Sequence, residues 1–190
     1  MEKQILVNKD NPIPPGYRGS VEIVEIEVEE GFSVSLEKEA AEKYLQMRRY
    51  LLSLGIHVEA LSGYRLQETQ ERIWNKTATE YGEAYAERYV AKPGYSEHQT
   101  GLALDVSLYD TWGNQVEDDD AEAYGKMFPY LHEFGFILRY PKGKEDVTGY
   151  PFEPWHIRYV GIEAASKIYE NGWTLEEYIS RASEKPGDRE

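Results

Sequence analysis

Two short stretches of the chain combine a histidine with a carboxylate. SEHQTGLALD places His98 seven residues before Asp105, and EPWH places Glu153 three residues before His156. The chain contains no cysteine, so a metal ion would have to be held by His, Asp or Glu. Zinc enzymes commonly use three protein ligands and leave a fourth position for water. His98, Asp105 and His156 would supply two imidazoles and one carboxylate, and Glu153 would remain free as a base for that water.

Each of these residues also has an ordinary structural interpretation. A histidine on a strand, such as His156, is more often hydrogen-bonded in the core or at the surface than bound to a metal. Asp105 follows the apolar run LAL and could cap the end of a strand. From residue types and spacing alone, a metal site and a metal-free domain are equally open alternatives. His57 and His132 lie in segments with no other feature of a site, so we predict that neither takes part.

Local geometry places two requirements on a site built from these stretches. His98 and Asp105 can converge only if the chain turns between them, which Gly101 would permit. Residues i and i+3 of a strand point to opposite sides of the sheet. In EPWH, therefore, the glutamate can reach the side of the histidine only through a bend at the proline.

The hydropathy pattern predicts the elements that would carry these residues. A buried strand is expected from about Gly101 to Ser107, and Ser35 is the predicted N-cap of a helix that stops at Gly55. Helices and strands mix without a regular βαβ alternation, so we predict an α+β fold with a small antiparallel central sheet flanked by helices. Further strands are expected in VEIVEIEVEE, HVEALSGYR, GFILRY and PWHIRYV, and one or two further helices in LQETQERIWNKTATEYGEAYAERYVA.

Composition limits the class of protein. The chain has 190 residues, of which 41% are hydrophobic. We predict a single domain over residues 1–190, with residues 1–34 as an N-terminal extension and strand that packs on it. The formal net charge is −14 and the basic residues are scattered, which argues against nucleic acid as a partner. The sequence predicts no oligomeric state.

The N-terminus and the hydropathy bear on location. The first residues contain too short an apolar run for a signal peptide, and no later segment predicts a membrane span. The chain as written is therefore expected to be soluble. It would be cytoplasmic if Met1 is the native start, and extracytoplasmic if a signal or anchor has been removed.

The two stretches together resemble a known family. SxHxxGxAxD over residues 96–105, followed by ExWH over residues 153–156, is similar to the motif of the zinc D-Ala-D-Ala peptidases of the VanY, VanX and VanXY type. These proteins share a fold with the hedgehog signalling domain. The resemblance extends through LVNKDNP, SGYR, GFILRYP and EPWHIRYVG, and it covers most of the chain.

The resemblance implies a site in this sequence. It implies one zinc ion held by His98, Asp105 and His156, with Glu153 as the catalytic base and Arg65 over the metal, where it polarises the scissile carbonyl or its oxyanion. The remaining positions concern the substrate. Gln70 and Ser96 match positions associated with the C-terminal carboxylate of the peptide, and Trp155 is expected to wall the metal pocket.

The resemblance also implies an activity. The expected reaction is removal of the terminal D-Ala from peptidoglycan precursors or stem peptides by a zinc D,D-carboxypeptidase, with D,D-dipeptidase activity as an extension. Such an enzyme would act in antibiotic resistance or cell-wall remodelling. An L,D-carboxypeptidase acting on tetrapeptide stems is a close alternative. A third, of another class, is a non-catalytic binding domain in which zinc is structural, as in the hedgehog module.

Overall fold

The computed structural model describes residues 3–29 and 31–183. The strands are β1 (Ile23–Glu29), β2 (Phe32–Glu37), β3 (His57–Ser62), β4 (Ala103–Tyr109), β5 (Phe136–Tyr140) and β6 (Glu153–Tyr159). The α-helices are α1 (Lys38–Ser53), α2 (Gln67–Tyr81), α3 (Glu83–Tyr89), α4 (Ala121–Gly125), α5 (Phe128–Leu131), α6 (Glu145–Thr148), α7 (Ile162–Asn171) and α8 (Leu175–Ser183). Short 3₁₀ helices occupy Tyr17–Ser20, Glu97–Thr100 and His132–Phe134.

The central sheet carries the strands of the predicted site. Its order is β3-β4-β6-β5, every neighbouring pair is antiparallel, and β1 and β2 form a separate antiparallel hairpin. β4 and β6 are therefore the two inner strands, and Asp105 of β4 pairs with His156 of β6. The predicted α+β fold with a small antiparallel sheet is confirmed.

The register between β5 and β6 is irregular next to the site. Leu138 pairs with Ile157 and Tyr140 pairs with Glu153, so the segment of β6 between these pairs is longer than the facing segment of β5. The additional residues include Pro154, and they form a bulge, which bends a strand and redirects its side chains. This is the bend that the EPWH stretch requires.

The core fills both faces of the central sheet. Alternate residues of a strand face opposite sides, and on β5 Phe136 belongs to one buried cluster while Ile137 belongs to the other. The larger cluster includes the buried face of α1, and the smaller one includes residues of α7 and α8. Full burial of one large apolar side chain stabilises the folded state by about 1.5–3 kcal/mol relative to leaving it exposed. The buried residues of α1 are Ala40, Ala41, Tyr44, Met47 and Leu51.

The first helix begins later than the sequence predicts. Ser35 lies within β2, and Glu37 is the N-cap, with its side chain accepting a hydrogen bond from the Ala40 amide at 3.1 Å. The alternation of FSVSL favours a strand through this segment, and that pattern outweighs the capping preference of one serine. The predicted N-cap at Ser35 is therefore wrong, and the helix begins at Lys38.

The N-terminal part is joined to the main core. Ile26 of β1 and Val34 and Leu36 of β2 belong to the larger buried cluster. The division into one domain over residues 1–190, with residues 1–34 as an extension, stays a prediction. Within residues 3–29 and 31–183, no helix combines the length and the apolar character needed to cross a bilayer.

Candidate metal centre and cleft

A tight turn brings the first two predicted ligands together. His98 lies on the 3₁₀ helix Glu97–Thr100, and Gly101 ends that helix in the left-handed conformation with φ 76°. The chain then enters β4, which carries Asp105. A side chain at Gly101 would also lie 2.7 Å from the Cδ1 atom of Ile23. The glycine that the sequence required between the two ligands is therefore needed for both its backbone conformation and its space.

The three predicted ligands converge at the floor of a cleft. Nε2 of His98 lies 3.2 Å from Oδ2 of Asp105, and Nδ1 of His156 lies 2.9 Å from Oδ1 of the same carboxylate. One donor atom from each residue falls within a span of 4.8 Å, and all three side chains are buried. The two imidazole rings meet edge to face, with their centroids 5.0 Å apart. The fold thus brings His156 of β6 beside two residues that lie far earlier in the chain.

Hydrogen bonding fixes which nitrogen of His98 faces the site. Its Nδ1 lies 2.7 Å from the backbone carbonyl of Gly63. This contact requires a proton on Nδ1, so the lone pair of the neutral ring lies on Nε2. Gly63 follows β3 directly, and a Cβ there would lie 2.2 Å from the carbonyl oxygen of Ser35. Only glycine allows β2 to pass this close to the carbonyl that orients His98.

Glu97 is a buried acidic residue behind the site that the sequence analysis did not identify. Its Oε1 accepts hydrogen bonds from Nε of Arg139 at 2.8 Å and from Nη1 of Arg158 at 2.7 Å. Its Oε2 lies 3.6 Å from Nε2 of His156, and neither of these two atoms has a hydrogen-bond partner among the described residues. These two atoms face each other on the side of the imidazole that points away from Asp105. Carboxylates in this position orient metal-bound histidines in many proteins.

A signal for Glu97 was present in the sequence. FILRY and HIRY each place an arginine in an otherwise apolar strand, and both Arg139 and Arg158 have 0% exposed side chains. A buried guanidinium requires a carboxylate partner. The two arginines therefore predict a buried carboxylate near β5 and β6, but the sequence does not indicate which carboxylate it is.

The protonation of the site follows from these contacts. Burial alone would lower the pKa of His156, but the neighbouring carboxylates of Asp105 and Glu97 outweigh burial and raise that pKa to about 9. Burial and the nearby Arg65 lower the pKa of His98. Burial would raise the pKa of Asp105, yet the two histidines hold it well below its usual value. A metal ion bound between these groups would take the place of the proton on His156.

Glu153 lies beside the ligands without joining them. Its Oε2 is 3.9 Å from Nδ1 of His156, because the bulge in β6 turns the glutamate to the same side as the histidine. Burial, with the Asp105 carboxylate adding to it, raises the pKa of Glu153 to about 7 against the opposing effect of His156. A carboxylate with a pKa near neutrality can both accept and return a proton.

The remaining predicted site residues line the same cleft, which has a volume of about 180 Å³. Arg65 donates from Nη2 to Oδ2 of Asp105 and to Oγ of Ser62, both at 2.8 Å. Gln70 is buried and donates from Nε2 to the carbonyl of Ala91 at 2.7 Å. The predicted site residues that line the cleft are Arg65, Gln70, Ser96, His98, Asp105, Glu153, Trp155 and His156.

The two other histidines lie elsewhere. His57 bonds Oε1 of Glu59 at 2.9 Å, and its ring lies 5.3 Å from that of Tyr109. His132 stacks on Tyr169 with ring centroids 4.0 Å apart. Neither side chain lines the cleft described above.

The donor set fits a zinc ion. Two imidazole nitrogens and a carboxylate oxygen match the ligand chemistry of catalytic zinc sites, which keep a further position open. The cleft supplies that opening, and Glu153 stands beside it as a carboxylate not needed for coordination. Zinc-dependent hydrolases use a mononuclear site of this composition, with an open position and a carboxylate that is not a ligand beside it.

Comparison with known sequences and structures identifies the family of the chain. The VanY family, described as D-alanyl-D-alanine carboxypeptidase, matches residues 33–162. The chain belongs to this family. The matched segment contains every predicted site residue.

Solved and curated relatives agree with this assignment. The bifunctional D-Ala-D-Ala dipeptidase and D-Ala-D-Ala carboxypeptidase VanXYC of Enterococcus gallinarum is 40% identical over 152 residues, covering 76% of this chain and 77% of that protein. A crystal structure of a mutant of the vancomycin resistance D,D-pentapeptidase VanY in complex with Zn(II) superimposes with a TM-score of 0.82 at 37% identity, covering 93% of this chain and 98% of that chain. The LD-carboxypeptidase LdcB superimposes with a TM-score of 0.80 at 38% identity, covering 92% of this chain and 84% of that chain.

Some relatives are longer than this chain. The chain spans 66% and 65% of the lengths of two further curated relatives, from Bacillus subtilis and Enterococcus faecalis.

Proposed function

We propose that the protein is a zinc-dependent D,D-carboxypeptidase that hydrolyses the terminal D-Ala-D-Ala bond of peptidoglycan precursors or stem peptides. D,D-dipeptidase activity is a second expected reaction. The observation that carries the proposal is the position of Glu153, 3.9 Å from a ligand histidine and free of the ligand set. A structural metal site needs no such base, whereas hydrolysis does.

The ligands and the base have separate roles in the proposed reaction. His98, Asp105 and His156 would hold the zinc ion, which when bound acts as a Lewis acid on the scissile carbonyl and lowers the pKa of the attacking water. Glu153 takes a proton from that water as the new C–O bond forms. It then returns the proton to the departing amine nitrogen as the C–N bond breaks, which balances the reaction and releases D-Ala.

Arg65 is placed to stabilise the developing charge. Attack on the carbonyl carbon builds negative charge on its oxygen, and one preorganised donor is worth about 3–4 kcal/mol at that stage. The guanidinium lines the cleft and is fixed there by its bonds with Asp105 and Ser62. It is therefore held in position before the substrate arrives.

Gln70 and Ser96 remain the proposed contacts to the end of the peptide. Oε1 of Gln70 is buried and has no hydrogen-bond partner within the described part of the chain. Nε2 of Gln70 carries a second N–H besides the one donated to the Ala91 carbonyl, and this N–H is the donor that the amide can offer to the terminal carboxylate. Ser96 offers a hydroxyl donor to the terminal carboxylate, and Trp155 walls the cleft next to the base.

The first experiment is an amino-acid release assay with the zinc-loaded protein. The substrates are the dipeptide D-Ala-D-Ala, a pentapeptide stem ending in D-Ala-D-Ala, and a tetrapeptide stem ending in one D-Ala. Release from the pentapeptide supports the D,D-carboxypeptidase, and added dipeptide cleavage supports the dipeptidase. Glu153→Gln should abolish release while zinc stays bound. Unchanged hydrolysis by this variant would refute the role of the base.

The assay also separates the alternatives. The similarity to LdcB favours L,D-carboxypeptidase activity as the second candidate, and release from the tetrapeptide alone would establish it. A protein that binds zinc but releases nothing from any of the three substrates would be a binding domain instead.

A further inference from the structure

A second cavity adjoins the metal cleft. It has a volume of about 260 Å³ and shares two wall residues, Val90 and Tyr150, with the cleft. We call it the lysine pocket. Its lining residues are Lys9, Trp74, Glu87, Val90, Lys92, Tyr95 and Tyr150.

The lysine pocket contains a cation that makes no ion pair. Nζ of Lys9 lies 4.4 Å from the ring centroid of Tyr150, and within residues 3–29 and 31–183 no carboxylate oxygen is within salt-bridge distance of it. Lys92 differs, because it pairs with Glu87 at 2.8 Å while lying 5.6 Å from the ring of Trp74. Lys9 is exposed, and its partial burial lowers its pKa while Glu87 opposes that shift, so an anion at this position would favour the charged ammonium.

The charge of the whole chain bears on the role of this cation. The chain carries a net charge of −14, which repels anionic ligands unless a cation is placed to receive them. Lys9 in the adjoining cavity is such a cation, because its ammonium is held over the Tyr150 ring. The lysine pocket therefore suits a carboxylate.

Aromatic contacts set the distance between the lysine pocket and the metal site. The ring of Tyr150 lies 4.9 Å from that of Tyr140, and the ring of Tyr140 lies 4.9 Å from that of His156. The Tyr150 ring is therefore within about 10 Å of a ligand ring, which an extended peptide covers in about three residues at roughly 3.3 Å each. The ammonium of Lys9 lies a further 4.4 Å from the Tyr150 ring, so a group bound to it would belong to the same peptide, up to about four residues from the bond that is cut.

We propose that the lysine pocket is a subsite for a carboxylate carried by the stem peptide on the N-terminal side of the scissile bond, with Lys9 as its main receptor. The inference rests on the proposed function, since it extends the same cleft. It predicts that the enzyme distinguishes stems with a free carboxylate at the second residue from stems in which that group is an amide.

The test compares two pentapeptides that differ at one group. Both contain L-Lys at the third position and end in D-Ala-D-Ala; one carries D-Glu at the second position and the other D-isoglutamine. A charge-assisted contact at a partly exposed site should favour the acid in kcat/KM by about fivefold. In Lys9→Met, the ratio of kcat/KM for the acid to kcat/KM for the amide should fall to about one, mainly because KM for the acid rises. Lys92→Met should lower the ratio less, because Lys92 already has Glu87 as a partner.

Lys167→Met is the matched control. This lysine lies on α7 and pairs with Glu163 at 2.7 Å, so its loss changes the net charge equally without touching the lysine pocket. The acid-to-amide ratio should stay as in the unmodified protein. Equal kcat/KM for acid and amide in the unmodified protein would overturn the subsite. So would an equal loss in Lys9→Met on both pentapeptides and on D-Ala-D-Ala.

A binding measurement separates failure of the subsite from failure of the proposed function. If no peptide is hydrolysed, the proposed activity is wrong, and the subsite is then judged by calorimetric titration of the zinc-loaded protein with the two pentapeptides. Tighter binding of the acid that disappears in Lys9→Met supports the subsite. Equal binding of both peptides refutes it.

Discussion

At the scale of single residues, the site depends on how its histidines are held from behind. His98 is fixed by the Gly63 carbonyl at 2.7 Å, and His156 faces Glu97 at 3.6 Å. Both contacts are made by the ring nitrogen that points away from the other ligands. Each imidazole therefore presents the lone pair of its other ring nitrogen to the predicted metal position.

Replacing Glu97 by Gln tests the contact behind His156. The amide keeps the shape of the side chain but removes the negative charge that faces Nε2, so zinc affinity should fall about tenfold. Competition with a chromophoric zinc chelator measures this effect on protein whose folding has been checked by circular dichroism. Glu163→Gln on the exposed face of α7 is the matched control. An unchanged zinc affinity in Glu97→Gln would show that the carboxylate does not orient the ligand.

At the scale of elements, the site is made by two interruptions of regular structure. The turn at Gly101 brings a 3₁₀ helix back beside β4, and the bulge in β6 turns Glu153 toward His156. Close packing of β2 against Gly63 then holds the carbonyl that orients His98.

Gly63→Ala should damage the site through the backbone. The added methyl group would lie 2.2 Å from the Ser35 carbonyl oxygen, and a strand cannot shift cheaply to relieve that contact. We expect a loss of stability of about 1–3 kcal/mol, together with weaker zinc binding, measured by denaturant unfolding and chelator competition. Gly125→Ala is the control, because a Cβ there meets nothing within 4 Å. Equal stability of the two variants would mean that the close approach at Gly63 is not required.

The sequence predicted the elements better than their junctions. The hydropathy pattern located the inner strands. Residue types and spacing left a metal site and a metal-free domain equally open, and the resemblance to the zinc peptidases supplied the site residues that the fold brings into one cleft. Residue patterns do not encode where β2 gives way to α1, since strand alternation and a serine cap compete over the same residues. Residue patterns also do not show that Glu97 accepts hydrogen bonds from Arg139 and Arg158. These contacts depend on how β5 and β6 pair.

At the scale of the whole molecule, the predicted metal ligands form a connected network with Arg65. Asp105 bonds both histidines and Arg65 at the same time. These pairings compensate the negative charge of the buried carboxylate, so we expect that folding does not depend on the metal alone.

Removal of zinc should therefore lower the melting temperature without unfolding the protein. At a free zinc concentration 100 times the dissociation constant, binding adds about 2.7 kcal/mol, which corresponds to roughly 5–10 °C for a chain of this size. Scanning fluorimetry before and after treatment with dipicolinate, followed by zinc addition, measures the shift. Glu153→Gln should show the same shift, since it keeps all three ligands. Unfolding at room temperature on chelation would contradict this expectation.

The buried arginines connect the site to both ends of the described chain. Arg139 forms a double hydrogen bond with Glu176 of α8 at 2.6 and 2.9 Å, and Arg158 donates to the carbonyls of Lys3 and Ile5 at 3.1 and 2.8 Å. With Glu97 and Glu176 as partners, the two guanidinium charges are balanced.

This balance sets the minimum fragment worth expressing. The family match covers residues 33–162 and includes every predicted ligand, yet a fragment cut at those limits would lose Glu176 and the Lys3 and Ile5 carbonyls. Two interior cations would then share one carboxylate directly behind the metal ligands. Shortened versions for crystallisation or directed evolution should therefore begin before Lys3 and end after α8.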